Sequence, residues 1–274
     1  MYLKKYNPVT PSSRQKITIS RDNLWKGKPF KSLTVGKLNK AGRTSSGRIS
    51  VWHKGGGHKR KYRFIDFSRS KSEPAIVHRL EYDPNRTAYI ALIQYISGEF
   101  SYILAPHNIK QGDIITANNS TTSNSMAVGN SLPLRLIPEG IKIHNIEVRP
   151  GKGGKLLRAA GAFGSIIKKT DTHAVVKMQS GVNKLLPLEC MATVGIVSNL
   201  NNYSKVLGKA GASRWRNKRP TVRGVAMNPI DHPHGGGEGK KSGHRQLVTP
   251  WGRLTKGVKT RSKQKKNNKS LLYN

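Results

Sequence analysis

Apolar and polar residues alternate from Ala75 to Tyr82, the pattern of a strand with one buried face. Asp83-Pro84-Asn85 then signals a turn. Ala88–Ile96 follows as a near-continuous run of β-branched and aromatic residues. Ser97-Gly98 closes a hairpin into Glu99–Ala105, and Lys110-Gln111-Gly112-Asp113 leads into Ile114–Thr116. With Tyr62–Phe67 as an opening strand, residues 62–117 predict a small antiparallel barrel. Residues 118–130 are polar and low in complexity, and read as a linker. Beyond them Lys142–Val148, Phe163–Lys169, His173–Met178, Lys184–Leu188 and Met191–Val197 are again strand-length, divided by Gly, Asp and Pro. They predict a second barrel over 131–200. A short helix is expected near Lys205–Lys209 or Ala210–Trp215. Residues 31–61 and 228–270 show no sustained stripe of either period.

Charge sharpens that division. The chain of 274 residues holds 50 Lys and Arg against 13 Asp and Glu, a net +37. Residues 1–63 carry 17 basic and 1 acidic side chains, residues 205–274 carry 18 and 2, and the centre 15 and 10. Two basic arms, 1–61 and 201–274, therefore flank a nearly balanced centre. Repulsion on this scale penalises a compact isolated chain and calls for a polyanion as partner. All four tryptophans, Trp25, Trp52, Trp215 and Trp251, lie in the arms. Rings among Arg, Lys and Gly fit arms that order against a surface by stacking or wedging. One cysteine excludes an intramolecular disulfide framework and a Cys-rich zinc site. No apolar run reaches membrane-spanning length. Residues 1–21 have the basic, Ser-containing composition of an organelle transit peptide. Pro8 and Pro11 break an amphipathic helix there, so a rigid basic arm fits as well.

Four motifs carry candidate chemistry. In Ser50–Arg63 (SVWHKGGGHKRKYR) three glycines let backbone approach a phosphate, ringed by His53, Lys54, His58, Lys59, Arg60, Lys61 and Arg63. In Pro150–Arg158 (PGKGGKLLR) successive glycines can form a backbone nest for an anion, beside Lys152, Lys155 and Arg158. Leu207–Arg223 (LGKAGASRWRNKRPTVR) sets Lys209, Arg214, Arg216, Lys218, Arg219 and Arg223 around Trp215 without one acid. Arg there offers a planar fork for phosphate and a face for stacking. Met227–Gly239 (MNPIDHPHGGGEG) gathers Asp231, His232, His234, Gly235, Gly236 and Gly237. The two His lack further ligands at metal spacing, and a general base without nucleophile or pocket makes no enzyme. The P-loop likeness at Gly239-Lys240-Lys241-Ser242 fails, since His234 stands where the first Gly belongs and Lys241 where Ser or Thr belongs.

Taken in order, GGGHKRKYR, LEYDPNRTAYIAL, YILAP, PGKGGKLLRAAG, VLGKAGASRWRNKRPTVRGVAMNPIDHPHGGGEG and VTPWGRLTKGVKTR closely resemble the universal ribosomal protein L2 family of the large subunit, in its bacterial and organellar form. The resemblance runs from about Lys28 to Arg261. It implies a mostly β fold, an OB-fold barrel then an SH3-like barrel, flanked by extended basic arms. It further implies binding of large-subunit rRNA, a role in subunit assembly and association, and support of the peptidyl-transferase region. There the Asp231–Gly239 loop matches the family's motif, and His232 holds the position linked to that activity. Catalysis would belong to RNA, so no catalytic residue and no cofactor is expected, with Mg2+ entering only through bound rRNA. The implied partners are rRNA, neighbouring ribosomal proteins and a small-subunit contact, without membrane or homo-oligomer. Three features depart from the family: the linker near Asn118–Asn130, a tail ending Leu271-Leu272-Tyr273-Asn274 rather than in Arg, and 31 Lys against 19 Arg. The last favours a mitochondrial ribosome over a plastid or bacterial one. The rivals are a general nucleic-acid-binding module and an enzyme using a metal or His232.

Overall fold

The computed structural model describes residues 2–117, 126–239, 246–260 and 271–272. Two compact units divide the chain: Met1–Asn39, Lys59–Ala212 and Lys269–Asn274 form one, Lys40–His58 and Ser213–Asn268 the other. In the first, β1 (Leu3–Lys5) pairs antiparallel with β2 (Ile17–Ile19) across a single helical turn, α1 (Pro11–Arg14). The N-terminal segment is thus a small hairpin rather than an amphipathic helix. β3 (Thr34–Lys37) pairs with β4 (Arg60–Arg63) as a separate ribbon. The strand expected over 62–67 is therefore shorter, and its partner comes from a segment with no periodic pattern.

The first barrel is built on a four-stranded sheet in the order β7-β6-β5-β8, with β5 Ala75–Glu81, β6 Ile90–Tyr95, β7 Phe100–Leu104 and β8 Ile114–Ile115. The continuous apolar run of β6 has a reason: it is buried on both faces. One face packs Ala91 and Ile93 against Leu24, Val77, Ile103 and Ile115. The other sets Ile90, Leu92 and Tyr102 against Phe30, Leu33 and Ile65, so the N-terminal arm covers it. In β5 the alternation holds as far as Val77, where a bulge between Val77 and Arg79 shifts the register, so that Leu80 joins the face of Val77 and Glu81 is buried on the other, against Tyr102.

The second barrel is a curled antiparallel sheet. β9 (Ser131–Pro133), β10 (Lys142–His144), β11 (Gly164–Lys169), β12 (His173–Met178), β13 (Asn183–Pro187) and β14 (Met191–Val194) follow one another. β14 turns back to lie between β10 and β9, and this return encloses one core of Ile143, Ile146, Ile166, Val176, Leu186 and Val194. After a 3-10 turn at Leu200–Ser204 comes α2 (Ala210–Trp215), the second of the two helix sites expected. β15 (Leu271–Leu272) adds to β13 at the sheet edge. Most of the linker segment lies outside the described residues.

Polar groups join the two barrels. Ser131 N–H donates to the Thr116 carbonyl at 3.0 Å, Ser198 N–H to Ala105 at 3.0 Å, and Gly154 N–H to Phe67 at 2.9 Å. Arg69, only 4% exposed, donates from Nη1 to the Gly129 carbonyl at 3.0 Å. His144 is fully buried and its Nδ1 lies 2.9 Å from the Gly195 carbonyl. Burial, together with the nearby Arg69 charge, pushes this imidazole down to about 4.

An unfolded His144 takes up a proton near the ordinary imidazole value of 6.5, whereas the folded one waits until about 4. Between those values the unfolded chain binds more protons, so stability is full above the window and falls as pH drops through it. The loss reaches about 3 kcal/mol. Urea titrations from pH 7 to pH 4 are expected to show it, and His144→Gln should remove this share of the slope.

Candidate nucleic-acid interface

The second unit brings together two motifs that are far apart in sequence. The loop around His53–His58 lies antiparallel to the stretch after α2. His58 N–H donates to the Trp215 carbonyl at 3.0 Å, Gly55 N–H to Asn217 at 3.0 Å, and Arg219 N–H to the His53 carbonyl at 3.1 Å. Lys54 and Lys218 face each other across this clasp, and His53 Nδ1 is 3.1 Å from the Pro220 carbonyl. Gly57 has φ +59°, and any Cβ there would collide with Asn217 Oδ1. The glycines of the first motif thus serve the clasp itself. Because the backbone satisfies itself, the side chains of Lys54, His58, Arg214, Arg216, Lys218, Arg219 and Arg223 remain exposed as one cationic surface. Trp215 is exposed beside them, and the Trp52 and Trp251 rings meet at 5.2 Å between centroids with both largely open.

No apolar side chain among the described residues of this unit is buried. The one buried side chain among them is His232, at 7% exposure. The ring lies on Gly224, where a Cβ would come within 2.5 Å of it. Its Nδ1 accepts the His234 backbone N–H at 3.0 Å, so the neutral ring carries its proton on Nε2. The His234 ring stands 4.8 Å away, and its Nε2 accepts the Val248 N–H at 3.3 Å. Gly235 N–H closes on the His232 carbonyl at 2.9 Å and Gly236 N–H on Met227 at 3.1 Å. Asp231 and Gly237 point to solvent. The loop is a knot around a sealed imidazole.

In the first unit the remaining candidates divide. Lys59, Lys61, Lys152, Lys155, Arg158 and Lys209 are exposed. Arg60 is half-buried and spends Nη1 on the Pro84 carbonyl at 2.9 Å. Arg63 is 8% exposed and donates from Nη1 to the Lys61 carbonyl. The nest at 150–158 exists, but its anion is the chain's own. Buried Glu147 accepts Gly153 N–H at 2.7 Å, Gly151 N–H at 3.2 Å and Met191 N–H at 3.1 Å. Sequence reasoning missed Glu147, which precedes the motif inside an expected strand. The cationic side chains of that motif face outward, with Arg158 over the Phe67 ring at 4.5 Å.

Enzyme chemistry finds little support in these arrangements. Among the described residues no group of three or more His, Cys, Asp or Glu could hold a metal ion. Cys190 is buried, and burial near Glu147 pushes its thiol up to about 11, far from a reactive thiolate. No helix among the described residues is long and apolar enough to cross a membrane.

Known proteins align with both halves of this architecture. Residues 30–117 match the model of the RNA binding N-terminal domain of Ribosomal Proteins L2, and residues 127–252 that of the C-terminal domain. The chain is 56% identical over 269 residues to a large ribosomal subunit protein uL2m of Reclinomonas americana, covering 97% of this chain and 96% of that protein. It is 53% identical over 273 residues to large ribosomal subunit protein uL2 of Rickettsia bellii, covering 99% and 98%. A Rickettsia felis uL2 is 52% identical over the same length and coverage.

Glu147→Gln replaces a carboxylate by a group with one acceptor oxygen and a donor turned toward an N–H. Unfolding free energy is expected to fall by about 2 kcal/mol. Urea denaturation of the chain and its variant measures the difference.

Proposed function

The chain belongs to the ribosomal protein L2 family, and on that premise we propose how its surfaces serve the ribosome. It is a structural constituent of the large ribosomal subunit that binds rRNA among other ribosomal proteins, and it is not an enzyme. The observation that carries the mechanism is the clasp. It presents Lys, Arg and exposed Trp on a backbone that needs none of its own amides for RNA. The cations neutralise phosphates and release counterions, while rings and guanidinium planes stack on unpaired bases. Lys59, Lys61, Lys152, Lys155, Arg158 and Lys209 extend phosphate contact over the first unit.

Among its described residues the second unit has no buried apolar side chain. Its order comes from the RNA it lines, so binding and local folding are one event. In this reading the Asp231–Gly237 loop supports the peptidyl-transferase region as a shaped part rather than a reagent, and the sealed His232 ring supports that role. Mg2+ enters with the RNA alone. The ribosome concerned is mitochondrial. That preference rests on the Lys-rich composition and the uL2m relative, against bacterial relatives of nearly equal identity.

Sedimentation of tagged protein from fractionated lysate through a high-salt sucrose gradient tests this. Retention on the large subunit of purified mitochondria is expected, and release by salt into bulk nucleic acid would sink the reading. Neutralising Lys54 and Lys218 to Gln should flatten the slope of log affinity against log salt by about 0.7 to 0.9 per lost phosphate contact.

Hydrogen exchange gives a second test. In the free chain, amides of 40–58 and 213–260 should exchange far faster than those of β6 and β12. On rRNA binding they should become protected. Equal protection in the free chain would contradict coupled folding.

A further inference from the structure

The first unit also holds a cavity of about 330 Å3 lined by Arg21, Trp25, Lys26, Arg63, Glu81 and Tyr82 among others. The size lies at the lower end of small-ligand pockets. Its walls alternate rings and cations. The Arg21 guanidinium lies over the Tyr82 ring at 3.6 Å from the centroid, and Arg79 over Trp25 at 4.6 Å. The backbone holds this arrangement: Trp25 N–H donates to the Leu80 carbonyl at 2.8 Å, and Trp25 bridges to Glu81. Yet Trp25 is 50% exposed and Tyr82 is 37% exposed, far more than barrel rings such as Tyr102.

The cavity's charge is not balanced from within. Its one carboxylate, Glu81, is fully engaged: Oε1 accepts Arg79 Nε at 2.8 Å and Oε2 accepts the Tyr102 hydroxyl at 2.9 Å. Burial pushes that hydroxyl up to about 12, so it stays a donor. Arg63 is buried, with 8% of its surface exposed. It lines the cavity, and its Nε has no hydrogen-bond partner among the described residues. A buried guanidinium with unused capacity, beside Arg21 and Lys26, asks for an anion. The open aromatic and guanidinium faces ask for a planar ring system. An acidic peptide would answer only the first demand.

We propose that this cavity takes one unpaired nucleotide of the large-subunit rRNA, its base against Trp25 and the Arg21–Tyr82 stack and its phosphate toward Arg63 and Lys26. The proposal rests on the rRNA-binding reading and adds a site in which only Arg63 belongs to a motif that reading used. Recognition is by stacking and charge, so it tolerates different bases.

Cross-linking tests it. Complexes of the full chain with large-subunit rRNA are irradiated at short ultraviolet wavelength, and peptide–nucleotide adducts are mapped by mass spectrometry. An adduct on Trp25 or Tyr82 is expected. Trp25→Ala should weaken rRNA affinity by about ten-fold, and Trp25→Phe, which keeps a stacking face, should restore most of it. Arg21→Gln should lower the salt slope by about one contact. Thermal melting separates these effects from misfolding. Adducts at Trp52 or Trp251 with none at Trp25 or Tyr82 would overturn the site. So would a Trp25→Ala variant that melts normally and binds within two-fold of the parent, by the same stacking estimate. An adduct formed with free AMP but not with rRNA, or with a neighbouring protein instead, would overturn the assignment to rRNA. Failure of the unaltered chain to bind rRNA would remove the underlying reading, and the cavity's role with it.

Discussion

A net charge of +37 is the constraint on which the rest of the structure depends. With so few acids, the carboxylates that find donors mark where the chain closes on itself. Glu147 fills the nest under the second barrel. Glu81 ties β5 to Tyr102. Asp83 fixes its turn by accepting Asn85 N–H and Arg86 Nε. Asp66 accepts the backbone N–H groups of Ser68 and Arg69. Asp113 accepts Lys110 N–H, Glu139 accepts Lys169 N–H, and Asp22 and Glu99 hold local partners. These acids act as acceptors for backbone and side-chain donors, and three of them, Glu81, Asp83 and Glu147, are buried. The exterior stays cationic because 13 acids face 50 Lys and Arg and the buried three are spent on internal partners.

The same economy separates the two units. The barrels own apolar cores, and their join is fixed by backbone hydrogen bonds, Arg69 and a neutral His144. They can hold shape while like charges crowd their surface. The unit of 40–58 and 213–268 has hydrogen bonds and glycine turns but no buried apolar side chain among its described residues. Its Trp52, Ile230 and Trp251 stay largely exposed. Net stabilisation from a hydrogen bond in water is about 1 kcal/mol, comparable with the entropy of ordering one residue. Such a unit cannot outweigh the repulsion of its own cations by internal bonds alone.

Much of the barrel architecture was legible because alternation and turn residues are local signals. The β5, β6 and β7 strands, their hairpin and all the strands from β10 to β14 could be read directly. What stayed hidden depends on distant partners. β3 has no periodic pattern and exists because Arg60–Arg63 pairs with it. The clasp joins Gly55 to Asn217, and no local pattern announces such a pairing. The nest at 150–158 was readable as an anion site, but its occupant, Glu147, looked like an ordinary strand residue. Arg63 read as one more phosphate donor, yet its burial follows from the fold around it. The cavity at Trp25 needed the same long-range view, because Arg21, Arg63 and Tyr82 share no motif.

His232 shows how these levels meet. By sequence it is the residue most like a reagent, a histidine beside an aspartate in a glycine-rich loop. In the fold its Nδ1 is committed to the His234 amide and its face to Gly224, while Asp231 turns to solvent. A general base must reach the proton it removes with a free lone pair. Here the lone pair of Nδ1 is already used to hold the loop, and the other nitrogen of the neutral ring carries the proton. The imidazole is therefore suited to set the shape of a backbone surface that RNA can pack against. Loss of the ring would collapse that surface without removing any chemical step, so an effect of its substitution on translation would report geometry rather than proton transfer.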